Sequence, residues 1–103
     1  MKNVEPIPVK MPEGLEEIVP GYLDNRKEEV PTLLRLLAAS DFERIRIAAH
    51  NLKGTGSAYG FEKLTEIGDG MERSAREANA GTLREHLTTL EEYLKRVELE
   101  PGG

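Results

Sequence analysis

The sequence predicts an all-α protein, an antiparallel up-and-down four-helix bundle with an extended N-terminal arm and a kinked first helix. Three observations carry that expectation. Apolar residues recur every three or four positions across nearly all of residues 13–99, the period of helices with one buried face. No run of four or more residues alternates with β-branched or aromatic residues, so no strand is expected. The connections between the helical stretches are short, which makes successive helices antiparallel neighbours. A chain of 103 residues with 38% hydrophobic residues holds one core of this kind and not two.

Taken in order, residues 1–12 hold Pro6, Pro8 and Pro12 and read as an extended arm with little structure of its own. The first helical segment covers residues 13–39, with Leu15, Ile18, Val19, Tyr22, Leu23, Val30, Leu33, Leu34 and Leu37 as its apolar positions. Pro20-Gly21 and Pro31 interrupt it, and each proline removes an intrahelical bond. One bent helix and two short ones both fit. The second helix opens at Ser40-Asp41, where Ser40 with Glu43 has capping-box spacing and Asp41 is an equal N-cap candidate. Its stripe is Phe42, Ile45, Ala49, Leu52, Gly56 and Tyr59. The third takes Phe61, Leu64, Ile67, Met71, Ala75 and Ala78 and stops at Asn79-Ala80-Gly81. Thr82 with Glu85 caps the fourth, whose stripe is Leu83, Leu87, Leu90, Leu94 and Val97. Residues 100–103 read as a flexible tail.

Composition excludes several classes of function. Nineteen acids against fourteen bases give a formal charge of −5, the wrong sign for a phosphate-backbone binder, so nucleic acid is not an expected partner. The chain has no cysteine, which removes disulfides, thiolate metal sites and thiol catalysis. No apolar run approaches a membrane span, and the N-terminus lacks the apolar stretch of a secretory signal. A monomeric cytoplasmic protein is the expectation, and the opening Met and wound-down ends point to a free-standing chain.

The chemistry centres on His50. The core stripe holds positions 49 and 52, so 50 lies just off the buried face, beside Arg46, Ile47, Lys53, Gly54 and Ser57 on the outer face of the same helix. A solvent-facing imidazole keeps one ring nitrogen with a free lone pair, and that nitrogen can accept a phosphoryl group covalently. Lys53, one turn on, would offset the charge of such a phosphoryl. Gly54 costs about 1 kcal/mol against alanine in a helix interior, a cost that close approach of another protein would offset. His86 lies off the stripe of the fourth helix with no second histidine at metal spacing, and reads as a plain surface residue. No metal site is expected. The run from Gly54 to Gly60 follows a helix and matches neither nucleotide-loop spacing.

The segment Ala49-His50-Asn51-Leu52-Lys53-Gly54, continued by Thr55-Gly56-Ser57-Ala58-Tyr59-Gly60-Phe61, resembles the signature of histidine-containing phosphotransfer (HPt) domains. The resemblance covers the bundle, residues 13–99, including the Asp-Phe-Glu start of the second helix. It implies a phosphorelay intermediate with no ATP site and no cofactor of its own. A receiver domain's aspartyl phosphate is attacked by His50, and the phosphoryl then passes to a second receiver's aspartate, Mg²⁺ being supplied by the partner receiver domain. A sensor or hybrid histidine kinase stands upstream. Carried over by position, His50 is phosphorylated, Lys53 stabilises the phosphate and Gly54 gives clearance.

Helices two and three reverse near Tyr59 and Gly60, and an equal count to either side sets Gly68, Asp69 and Gly70 beside His50. On that register Gly68 and Gly70 thin the wall for a partner helix, and Asp69 or Glu66 orients the imidazole's other nitrogen. Ile47 is the expected apolar docking residue, with Arg46 and Ser57 beside it. Two other functions fit a helical bundle. A histidine-kinase phosphoacceptor domain usually has an acid after its histidine, where this chain has Asn51. An interaction-only bundle would tolerate loss of the histidine.

Overall fold

The computed structural model describes residues 5–101. Four helices form the body, α1 (Val19–Ala38), α2 (Phe42–Thr55), α3 (Glu62–Arg76) and α4 (Ala80–Arg96), with a 3₁₀ turn at Ser57–Tyr59 between α2 and α3. Their stripes meet in one core in which Val19, Ile45, Ala49, Phe61, Leu64, Met71 and Leu83 are wholly buried. The spacing places nearly every buried apolar residue correctly. Ala78, Ile18 and Leu34, all counted in stripes, are exposed.

The first segment differs from expectation at its start. It begins at Val19 rather than at residue 13, and residues 13–18 form turns that feed it, the Val19 N–H donating to the Leu15 carbonyl at 3.0 Å. Pro20 falls in the first turn, where a missing N–H breaks no bond. Pro31 lies inside the helix, and α1 continues through it as one element, so the two-helix alternative falls.

The α1–α2 and α3–α4 junctions reuse one device. At the end of α1 the Ser40 N–H reaches the Leu37 carbonyl and the Asp41 N–H reaches Leu36; at the end of α3 the Ala78 N–H reaches Ala75 and the Asn79 N–H reaches Ser74. That pair of bonds satisfies the orphan carbonyls of a helix end and requires a left-handed residue, here Ser40 (φ 56°) and Ala78 (φ 53°). The next residue then caps the following helix: Asp41 accepts from the Arg44 N–H, and Asn79 accepts from the Thr82 N–H. Ser40 and Thr82 are therefore not the caps, because Ser40 is committed to the left-handed turn and Thr82 already lies inside α4.

The expectation of no strand is wrong. Ile7–Lys10 forms β1 and Val97–Glu100 forms β2, paired in parallel with Ile7 opposite Val97 and Lys10 opposite Glu100. Each strand, Ile-Pro-Val-Lys and Val-Glu-Leu-Glu, alternates inward and outward residues, and lays Ile7, Val9, Val97 and Leu99 on the core. Part of the arm and the first residue of the tail are thus paired backbone rather than loose ends, the Met11 N–H adding a bond to the Glu100 carbonyl at 2.9 Å. Residues 1–4 of the arm and 102–103 of the tail lie outside the described residues. Among the described residues no helix is long and apolar enough to cross a membrane.

Candidate functional site

The site lies where α2 and α3 run closest. A Cβ on Gly68 would stand 2.6 Å from the Lys53 backbone nitrogen and 3.0 Å from the Ala49 carbonyl oxygen, so a side chain at 68 would force the helices apart. Contacts step along this seam from Ser57 with Thr65, to Lys53 with Asp69, to His50 with Glu72. The partner number falls as the α2 number rises, which sets Glu72 behind His50 rather than residues 68–70. The pivot is Phe61, one to two residues later than the turn chemistry suggested.

His50 presents its side chain 71% exposed, and its Nδ1 lies 2.8 Å from Oε2 of Glu72, itself only 6% exposed. An ionised carboxylate accepts and never donates, so Nδ1 carries the proton and the lone pair of the neutral ring is left on Nε2. Glu72 is anchored in turn by Arg76 (3.2 Å) and Lys53 (3.5 Å). The hydrogen bond from His50 is the main reason its carboxyl is held below the usual glutamate range, with burial opposing and Lys53 adding to the lowering. Lys53 Nζ sits 3.0 Å from Asp69 Oδ1, and that bond raises the ammonium above, and lowers the carboxylate below, its ordinary value. Arg73 takes the other oxygen of Asp69 at 3.3 Å.

The remaining expected residues are placed as follows. Gly54 is exposed, and a Cβ there would meet nothing within 4 Å. Ile47 is 56% exposed, and Arg46 beside it is tied to Glu43 at 2.7 Å. Ser57 is exposed and bound to Thr65. Neither Asp69 nor Glu66 is on the imidazole: Asp69 is held by Lys53 and Arg73, and Glu66 faces solvent. Gly68 and Gly70 are buried and do not thin an outer wall. Gly68 lets α3 touch α2, and Gly70 makes room for the His86 ring, which would lie 2.7 Å from its Cβ. His86 is thus a packed residue of the α3–α4 contact. Glu72 was legible only as an acid set between Met71 and Ala75 of a core stripe, four residues past Gly68. Among the described residues no group of three or more His, Cys, Asp or Glu side chains could hold a metal ion.

The site thus joins an exposed imidazole, a buried carboxylate on its inner nitrogen and a lysine one turn away on a four-helix protein. The sequence model of the Hpt domain matches residues 17–100, and the chain belongs to that family. No curated protein and no solved structure gives a significant match. Hpt domains are phosphotransfer carriers of phosphorelays, working with receiver domains and histidine kinases, rather than enzymes with an ATP site.

Proposed function

We propose that this chain carries a phosphoryl group on Nε2 of His50, accepting it from the aspartyl phosphate of one receiver domain and passing it to the aspartate of another. The Nδ1–Glu72 hydrogen bond is the observation that carries the reading, because it fixes the tautomer and aims the Nε2 lone pair at solvent. In the forward step that lone pair attacks phosphorus, the P–N bond forms, and the aspartate leaves with the P–O electron pair. The ring then bears a positive charge shared with Nδ1–H, which Glu72 offsets. In the second step the receiving carboxylate attacks phosphorus and the P–N pair returns to Nε2.

Lys53 stands one turn beyond His50 and supplies positive charge to the transferring phosphoryl. Gly54 leaves the space through which the partner approaches. Ile47 gives that partner an apolar anchor, with Arg46 and Ser57 at its edge. Asp69 and Glu72 are neutralised by Lys53, Arg73 and Arg76, so in this reading the Mg²⁺ of the transfer comes with the receiver. The working unit is taken as a monomeric cytoplasmic antiparallel bundle, an arrangement that the falling α2–α3 register supports, charged ultimately by a sensor or hybrid histidine kinase.

The test is phosphotransfer from a phosphorylated receiver in Mg²⁺. Acid-labile, base-stable label on the wild type and none on His50→Gln is expected. Label on neither with every receiver of the source organism would favour an interaction-only bundle, and equal label on both would move the phosphoryl to a residue other than His50. Ile47→Glu is expected to weaken receiver binding by about tenfold or more, the cost of placing a charge in an apolar contact; unchanged binding in a titration would remove Ile47 from the interface.

A further inference from the structure

The last turn of α2 is closed by a side chain from the neighbouring helix. In an uninterrupted helix the Ser57 N–H would reach the Lys53 carbonyl, four residues back. Here the Thr65 hydroxyl stands between them, accepting from the Ser57 N–H at 2.9 Å and donating to the Lys53 carbonyl at 3.1 Å. A hydroxyl has one hydrogen to give. With that hydrogen on Lys53, the 2.8 Å contact between the two side-chain oxygens makes Ser57 the donor and Thr65 the acceptor. Exposed Ser57 Oγ is left with lone pairs alone for any third group.

The backbone around this splice is also held. A Cβ on Gly56 would lie 2.7 Å from the Thr65 nitrogen, and the Phe61 N–H donates to the Gly56 carbonyl at 2.8 Å. The chain therefore leaves the α-helix directly after Thr55 and turns through Ser57–Tyr59. Ser57 lies two helical turns beyond His50, with open Gly54 between them. We infer that Thr65 is a positioning residue for partner binding: it ends α2 just past Gly54 and fixes Ser57 Oγ as a hydrogen-bond acceptor, so that the receiver group opposite Ser57 is a donor, an N–H or an ammonium. This rests on the phosphotransfer reading above.

Thr65→Val keeps the shape and removes the hydroxyl, whereas Thr65→Ser keeps the hydroxyl. Transfer is followed at single turnover over a concentration series of the phosphorylated receiver that labels His50, after a thermal melt shows each variant folded. Thr65→Val is expected to raise the half-saturating receiver concentration about fivefold, one hydrogen bond's worth, with the maximal rate within about twofold. Thr65→Ser restores the wild-type value. Ser57→Ala gives the same rise, and the double variant no more than either alone. An unchanged half-saturation in Thr65→Val overturns the inference. So does a loss confined to the maximal rate, or one that serine does not rescue, because the residue then acts on His50 or on folding. Phosphoramidate, a small phosphoryl donor, separates the two levels. If phosphoramidate labels wild-type His50 while Thr65→Val leaves the receiver half-saturation unchanged, this inference alone falls; no label from phosphoramidate or any receiver removes the reading beneath it.

Discussion

Replacing Glu72 separates its two tasks, orienting the imidazole and offsetting its charge. Glu72→Ala frees Nδ1 and is expected to slow phosphoryl acceptance by about tenfold or more, the scale of a hydrogen bond to an ionised group. Glu72→Gln keeps an acceptor without the charge and is expected to fall between alanine and wild type in the same stopped-flow transfer assay. The acid limb of stability follows the same residue. The folded-state pKa of Glu72 is depressed, so its stabilising contribution is complete above the ordinary glutamate range and is lost as pH falls through the folded value. Melting curves of wild type and Glu72→Gln are therefore expected to converge as the medium is acidified below that range. A gap that stayed constant down to acid unfolding would contradict the assignment. His50, Lys53 and Gly54 were readable from local spacing, since all three lie on one helix face. Glu72 and Thr65 were not, because their roles depend on the α2–α3 register, and a one- or two-residue error in the pivot moves a different side chain behind the histidine.

At the scale of elements, glycines and junctions set the geometry. Gly68→Ala is expected to cost about 1–3 kcal/mol, because its Cβ would meet backbone rather than a side chain that can move. Gly54→Ala is expected to do the opposite, stabilising α2 by about 1 kcal/mol while slowing transfer to the receiver. Denaturant titration with the transfer assay reads both, and a Gly54→Ala protein that transferred normally would deprive the glycine of its clearance role. Ala78→Gly should stabilise by about 1 kcal/mol, since a left-handed residue there pays the side-chain penalty glycine lacks. The helices were legible because 3.6-residue periodicity survives without knowledge of neighbours. Their ends were legible only in part: Asp41 was an equal cap candidate with Ser40 and is the cap, but neither left-handed position carries the glycine that usually marks it, and the capping-box spacing at Thr82 pointed past Asn79.

For the whole molecule, the parallel pair β1–β2 ties the two ends of the described chain across the bundle. Ile7, Val9, Met11 and Leu99 lie partly buried on the core, and the Arg96 Nε–H donates to the Glu5 carbonyl at 2.8 Å. Deleting residues 1–11 is expected to destabilise the protein by roughly 2–3 kcal/mol, from the apolar area returned to water, while leaving His50 reactive. An unshifted denaturant midpoint would show the pair to be decorative. The strands escaped the sequence because each is four residues long and its partner lies at the other end of the chain, a pairing no local window contains.

The central claim is that Glu72 holds Nδ1 so that phosphorus bonds Nε2 of His50. The direct measurement is phosphorus–nitrogen correlation NMR on protein labelled with ¹⁵N-histidine and phosphorylated by a receiver. Coupling of phosphorus to Nε2 of His50, absent in His50→Gln, is the predicted result. Coupling to Nδ1, or to a ring nitrogen of His86, would contradict the account.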